Sequence, residues 1–147
     1  MYIFIFDLDD TLLMSNSYHY YDDILPNHQL IELLNKIHIK YIYSNGNSAH
    51  VLKSLENMKL YNFNSIFTRS NIPFIKPNCL SFNYVHNEIK KIYSNNYILF
   101  FDDLLPNLKS ANNFNWITIW ISNSDEYIPT YINYKFNNII DALNFFI

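Results

Sequence analysis

Cysteine, arginine and glycine are almost absent from this sequence of 147 residues. Its single cysteine, Cys79, cannot form an internal disulfide, which excludes a secreted scaffold stabilised by such bonds. No apolar run reaches the roughly 18 residues that a membrane-spanning helix needs, so we expect no membrane partner. The single arginine, Arg69, and the one adjacent lysine pair provide no basic face. Together with the formal charge of −3, this disfavours nucleic acid as a partner.

Hydrophobic residues, by contrast, make up 50% of the chain, which is enough for a substantial core. The length fits one ordinary domain, and we predict a single domain over residues 1–147. The first residues are apolar, lack a basic segment and soon reach Asp7, which predicts a buried strand and no signal peptide. We therefore expect a cytoplasmic protein. The bias toward Asn, Ile, Tyr, Phe and Lys is typical of A/T-rich genomes, so for a virus this would be the host cytoplasm.

Short β-rich runs alternate with amphipathic helical patterns along the chain. Five strands are predicted, at Tyr2–Phe6, Lys40–Tyr43, Ser65–Thr68, Tyr97–Phe101 and Trp116–Ile121. Strands that alternate with helices in this way indicate βαβ units and a mostly parallel α/β sheet. Residues 13–25 fit neither period, and we expect them to form a short flap.

Polar side chains follow four of these strands. The four groups are Asp7-Leu8-Asp9-Asp10-Thr11, Ser44-Asn45-Gly46, Lys76-Pro77 and Asp102-Asp103. In open α/β sheets, ligands bind at the carboxyl ends of the strands. We therefore expect these four groups to converge on one site.

The residue types in these groups indicate phosphoryl transfer. Crowded carboxylates with no histidine or cysteine nearby are typical of Mg²⁺ sites. One carboxylate can attack phosphorus, and a second, two residues later, can protonate the leaving oxygen and then activate water. A hydroxyl, an amide and an ammonium can bind the phosphoryl oxygens. The only glycine, Gly46, lets the backbone approach a phosphate closely.

These groups resemble the four motifs of the haloacid dehalogenase-like (HAD) hydrolases, in the order that the superfamily has them. Residues 7–12 resemble its DxDxT signature, and the likeness extends over roughly residues 1–122. It implies a three-layer Rossmannoid sandwich with a five-stranded sheet of order 5-4-1-2-3. The segment 41–107 most resembles the branch of the pyrimidine 5′-nucleotidases and phosphoglycolate phosphatases.

The resemblance also implies a role for each matching residue. Asp7 would be the nucleophile, and Asp9 the general acid and base. The phosphoryl group would be bound by Ser44, Asn45, Gly46 and Lys76. The ligands of Mg²⁺ would be Asp7, Asp9 through its backbone carbonyl, Asp102 and Asp103. Other residues receive no catalytic role: Asp10 is expected in a turn, Arg69 and His50 are expected to be structural or surface residues, and Cys79 is expected in the core.

The spacing of the motifs leaves little room for a cap domain. Caps of this superfamily lie between motifs I and II or between motifs II and III, and only 33 residues separate Thr11 from Ser44 and 32 separate Ser44 from Lys76. We therefore expect a minimal cap or none. The predicted function is Mg²⁺-dependent hydrolysis of a small phosphorylated metabolite or nucleotide through an aspartyl-phosphate. The alternatives are a polynucleotide 3′-end phosphatase, a phosphoprotein phosphatase and, from another class, a non-catalytic HAD-like binding module. An oligomer is compatible with all of them.

Overall fold

Six parallel strands form one sheet in the computed structural model, which describes residues 1–147. The strands are β1 (Tyr2–Phe6), β2 (Lys40–Tyr43), β3 (Ser65–Phe67), β4 (Tyr97–Asp102), β5 (Ile117–Ile121) and β6 (Tyr134–Phe136). Their order across the sheet is β3-β2-β1-β4-β5-β6, and every neighbouring pair is parallel. The order predicted for the first five strands is confirmed.

The sixth strand was not predicted, because three residues without an apolar run carry no strand signal of their own. Strand β6 pairs with β5 at the edge of the sheet, where Ser122 donates a backbone hydrogen bond to Phe136 at 2.9 Å. The neighbouring strand therefore determines its conformation more than its own sequence does.

Five helices cover the two faces of the sheet. They are α1 (His28–Asn35), α2 (Ser48–Met58), α3 (Cys79–Lys90), α4 (Leu105–Asn112) and α5 (Ile139–Phe146). Helices α1, α2 and α5 pack on one face, and α3 and α4 pack on the other. None of the helices is both long and apolar enough to cross a bilayer.

Strand β1 lies at the centre of the sheet and contributes to both layers of the core. Phe4 and Phe6 point into the layer of α1, α2 and α5, whereas Ile3 and Ile5 point into the layer of α3 and α4. Successive side chains of a strand alternate between faces, so a strand covered on both sides is apolar throughout. Burial on both faces explains why β1 and β4 are continuous apolar runs in the sequence.

Asparagine caps fix where most helices begin. The side chains of four asparagines accept a hydrogen bond from a backbone N–H of the first turn of α1, α2, α3 and α5; these are Asn27, Asn47, Asn78 and Asn138. Such caps satisfy backbone donors that have no partner within the helix. The cap at Asn47 also fixes the position of the residues that follow Gly46.

The flap consists of two short 3₁₀ turns, Ser15–Ser17 and Tyr21–Asp23, between β1 and α1. Leu13 and Ile24 are buried at its two ends and anchor it to the core. The prediction for Cys79 is wrong: the residue is exposed, because it is the first residue of α3 and the buried apolar stripe of that helix starts at Phe82.

Candidate active site

The carboxyl ends of β1, β2 and β4 form the floor of one cavity of about 190 Å³. These strands are neighbours in a parallel sheet, so their ends meet at the same edge. Seven of the eight predicted site residues line this cavity: Asp7, Asp9, Ser44, Asn45, Gly46, Lys76 and Asp103. The eighth, Asp102, is completely buried and is bonded to Lys76. The four segments of the sequence therefore converge.

Lys76 lies at the centre of the site, with its ammonium group buried. Its Nζ donates to Asp7 Oδ1 at 3.0 Å, to Asp102 Oδ2 at 2.8 Å and to the backbone carbonyl of Tyr43 at 2.8 Å. Three donors thus have three acceptors, which a buried ammonium requires. Burial alone would lower the pKa of Lys76, but the charges of Asp102 and Asp7 raise it above its ordinary value.

Asn45 holds the backbone of Lys76. Its side-chain amide donates to the Lys76 carbonyl at 2.9 Å, and its side-chain oxygen accepts from the Lys76 N–H at 2.9 Å. These two bonds connect the loop after β2 to the loop before α3. Asn45 was predicted to bind phosphate, and in this structure both ends of its amide are occupied by Lys76.

Asp7 is buried at the end of β1, and its two oxygens have different partners. Oδ1 accepts from Lys76 at 3.0 Å, whereas Oδ2 accepts from the Thr11 hydroxyl at the longer distance of 3.4 Å. Burial raises the pKa of Asp7 well above its ordinary value; Lys76 opposes this effect and the charge of Asp102 adds to it. Of the two carboxylate oxygens of Asp7, Oδ2 therefore makes the weaker hydrogen bond.

Asp102 is fixed by Asn107, a residue to which the sequence assigned no role in the site. The Asn107 side chain in the first turn of α4 donates to both Asp102 oxygens, at 3.2 and 3.1 Å, and the Leu104 N–H donates to Oδ1 at 2.8 Å. Asn107 is buried. Its place five residues after Asp102 belongs to the segment 41–107 that resembles the nucleotidase and phosphoglycolate phosphatase branch, but this spacing does not reveal the bonds to Asp102.

The carboxylates of Asp7, Asp102 and Asp103 form a cluster whose ligand oxygens all lie within 4.8 Å of one another. Burial and the charge of Asp102 raise the pKa of Asp103 to about 6. Oxygen donors alone, with this much mutual repulsion, fit Mg²⁺. The Asp9 side chain lies outside the cluster, and the predicted role of Asp9 as a ligand involves its backbone carbonyl.

Asp9 instead contacts a histidine that sequence reasoning missed. His50 Nε2 lies 2.9 Å and 3.0 Å from the two carboxylate oxygens of Asp9. His50 Nδ1 lies 2.8 Å from the hydroxyl of Tyr21 in the flap. The sequence feature that could have indicated this contact is Asn47, because its cap places His50 in the first turn of α2 beside the cavity.

Gly46 is required by this histidine. A Cβ at position 46 would lie 2.8 Å from Cδ2 of the His50 ring and 3.2 Å from Oγ of Ser44. The first distance is shorter than real Cβ contacts allow. Close packing of His50 is thus a second reason for glycine here, beside the predicted approach to a phosphate.

Two remaining residues lie at the margin of the site. Asp10 has a φ of 60° and accepts hydrogen bonds from the backbone N–H and the hydroxyl of Ser15, at 2.9 and 2.7 Å, so it fixes the turn into the flap. Arg69 is exposed, and only its backbone N–H reaches the site, through a 3.0 Å bond to the Gly46 carbonyl.

Comparison with protein families matches residues 1–102 to a family described as "Protein of unknown function (DUF705)". The chain belongs to this family. The matched part of the DUF705 chain contains every predicted site residue except Asp103. No curated protein matches the sequence.

The fold of this DUF705 protein is that of the HAD-like hydrolases. It is similar to the HAD phosphatase from Thermococcus onnurineus, with a TM-score of 0.72, 14% identity, and 99% of this chain and 98% of that chain covered. It is also similar to an uncharacterized protein from Listeria monocytogenes serotype 4b, with a TM-score of 0.72 and 18% identity. That alignment covers 99% of this chain and 97% of the Listeria chain. A dehalogenase solved with an intermediate complex has a TM-score of 0.65 and 19% identity to this chain. That alignment covers 81% of this chain and 55% of the dehalogenase. The DUF705 chain thus spans little more than half the length of that dehalogenase.

The role of Lys76 can be tested by Lys76→Met, which removes the shared positive charge and keeps the aliphatic stem. Breaking a buried ion pair costs about 3–5 kcal/mol, so we expect the free energy of unfolding in urea at pH 7 to fall by that order. The matched control is the exposed Lys109→Met on α4, which should change it by less than about 0.5 kcal/mol.

The fall in the free energy of unfolding that Lys76→Met causes should become smaller as the pH falls from 7 to 5. Burial raises the folded-state pKa of Asp7 above its unfolded value, and the charge of Lys76 opposes this rise. Without Lys76 the folded-state pKa of Asp7 is higher still, so the variant gains more stability than the wild-type protein as the pH falls. A Lys76→Met protein as stable as Lys109→Met at both pH values would contradict this account.

Proposed function

We propose that this DUF705 protein is a Mg²⁺-dependent phosphatase that hydrolyses a phosphomonoester through an aspartyl-phosphate. One observation carries the proposal. Asp7, with one oxygen held by Lys76, shares a cavity with the carboxylate of Asp9 and belongs to an oxygen cluster with Asp102 and Asp103. A nucleophile, an acid–base group, a buried cation and a metal-binding set are thereby within one site.

The first step is attack of Asp7 Oδ2 on phosphorus. The Oδ2–P bond forms, the ester P–O bond breaks, and Asp9 gives its proton to the leaving oxygen. Lys76 holds Oδ1 and so keeps the other oxygen directed at the substrate. In the second step water attacks the same phosphorus, its proton passes to Asp9, and the bond between Asp7 and phosphorus breaks.

The metal would be held by Asp7, Asp102 and Asp103, together with the backbone carbonyl of Asp9. When bound, Mg²⁺ supplies positive charge that offsets the crowded carboxylates and the phosphoryl oxygens. Asn107 and Lys76 hold the Asp102 carboxylate in place for this role.

Ser44 and Gly46 would bind the phosphoryl oxygens. Direct binding by Lys76 would require one of its three N–H groups to leave its present acceptor. Ser44 and Gly46 lie on the loop after β2 and line the cavity, and the Gly46 N–H donates to the Ser44 hydroxyl at 2.9 Å. Asn45 contributes by holding Lys76, and direct binding of phosphate by Asn45 would require its amide to leave the Lys76 backbone. Presence of an acid at Asp9 favours a phosphatase over a dehalogenase, because the dehalogenases of the superfamily lack an acid at the matching position.

We further propose an enzyme with a minimal cap and a small substrate, a phosphorylated metabolite or a nucleotide. The flap contributes only two 3₁₀ turns, and the cavity at the strand ends is small. A groove of about 500 Å³ adjoins the flap and is lined by Tyr18, His19, Tyr20, Tyr21, Asp22 and Lys53. Its aromatic rings offer flat surfaces for a nucleobase. The net charge of −3 argues against a polynucleotide substrate.

Phosphate release is the direct test. With Mg²⁺ we expect turnover on a panel of nucleoside monophosphates, sugar phosphates and an aryl phosphate, and no turnover with a chelator. Asp7→Asn should lower kcat/KM by at least ~10³-fold, because the amide cannot form the covalent intermediate. Asp125→Asn, on an exposed loop, is the matched control and should leave kcat/KM unchanged.

Other outcomes would redirect the proposal. Turnover confined to a phosphorylated protein or a 3′-phosphorylated oligonucleotide would change the substrate class and keep the mechanism. No turnover on any of these, with no binding of beryllofluoride in the presence of Mg²⁺, would indicate a non-catalytic binding module.

Metal binding can be measured without any substrate. Mg²⁺ in large excess should raise the Tm of the wild-type protein, since a ligand at about 100 times its Kd stabilises by about 2.7 kcal/mol. Asp103→Asn should remove most of that increase, and Asp125→Asn should keep it. Equal increases in both variants would place the cation outside the carboxylate cluster.

A further inference from the structure

The imidazole of His50 lies between the Asp9 carboxylate and the flap. Its Nε2 is within 3.0 Å of both Asp9 oxygens, and its Nδ1 is 2.8 Å from the Tyr21 hydroxyl. The side chains of His50 and Asp9 are 22% and 38% exposed. Solvent therefore reaches Asp9 from the cavity side, while the histidine holds it from the other.

Three independent contacts fix the His50 ring. The cap at Asn47 accepts from the His50 backbone N–H at 2.8 Å and so fixes the start of α2. Gly46 leaves room for the ring edge that a Cβ would displace. The centroids of the Tyr21 and His50 rings are 5.7 Å apart. Tyr21 is itself held in place, because its backbone carbonyl accepts from the Asn57 side-chain amide at 2.7 Å.

The polarity of this chain of hydrogen bonds follows from the groups involved. When Asp9 is ionised, as it is before it takes a proton from water, its carboxylate can only accept, so Nε2 then carries the proton of the hydrogen bond to Asp9. In a neutral ring Nδ1 is then the acceptor, and the Tyr21 hydroxyl donates to it. The N–H of Nε2 faces both carboxylate oxygens and so restricts rotation of the Asp9 carboxyl group.

We propose that His50 is a positioning residue for Asp9 and that Tyr21 of the flap orients the His50 ring. The inference rests on the proposed function, because it concerns the acid and base of that reaction. A carboxyl group that first gives a proton to the leaving oxygen and then takes one from water must keep one orientation through both steps. The same chain of bonds ties the flap to the acid–base group.

Leaving groups of different basicity test this role. A simple alkyl phosphate has a poor leaving group that needs a proton from Asp9, whereas p-nitrophenyl phosphate does not. We expect His50→Ala to lower first-turnover phosphoryl transfer from the alkyl ester by at least ~10-fold. The first-turnover release of nitrophenol should change by less than about 3-fold, and phosphoenzyme should then accumulate because the second step needs Asp9 as base.

Conservative variants and controls complete the experiment. His50→Gln retains an N–H donor and should recover part of the rate with the alkyl ester, and Tyr21→Phe should give a smaller loss with the same selectivity. The controls are two substitutions away from the site, His86→Gln and Tyr61→Phe. The His86 ring, on α3, accepts a hydrogen bond from Trp116, and Tyr61 is exposed. Both should behave as wild type with both esters.

The two ways of failing are distinct. If the wild-type protein releases phosphate and His50→Ala slows both esters equally, or leaves the alkyl ester unchanged or faster, then His50 does not position Asp9 and the phosphatase proposal stands. If the wild-type protein shows no metal-dependent release at all, the proposed function fails and the role of His50 fails with it.

Discussion

The ammonium group of Lys76, buried between Asp7 and Asp102, is the interaction on which the site depends. Two buried carboxylates at the ends of neighbouring strands would repel each other, and the single lysine offsets both. Asn45 fixes the lysine backbone, and Asn107 fixes Asp102. These bonds fix the charged groups in place, as the proposed function requires, because an active site stabilises developing charge with groups that are already oriented.

Much of the fold could be predicted, because burial on both faces makes each central strand a continuous apolar run. Strands β1 and β4 have this pattern, and the polar groups that follow them mark the edge where ligands bind. Strand β6 could not be predicted, since its conformation comes from pairing with β5. Cys79 was misplaced because a small apolar residue at a helix start can be exposed or buried, and only packing decides which.

The site could be predicted only in part. Carboxylates that follow strands are visible in sequence, but His50, 41 residues from Asp9, carries no signal of its own. Its contact arises because the Asn47 cap and Gly46 bring the first turn of α2 against the cavity. Asn45 shows the converse case, because its type and place suggest a phosphate ligand while its amide holds Lys76. Side-chain partners across a sheet edge depend on three-dimensional packing, which spacing along the chain does not encode.

Trapping of the phosphoryl group on Asp7 is the measurement that tests the central claim most directly. The protein would be mixed with a turned-over phosphomonoester and Mg²⁺, quenched in acid within the first turnovers, digested and analysed by mass spectrometry. The account predicts the added mass of one phosphoryl group on the peptide that contains Asp7, absent from Asp7→Asn and absent with chelator. Turnover without this adduct, or with the adduct on another residue, would contradict it.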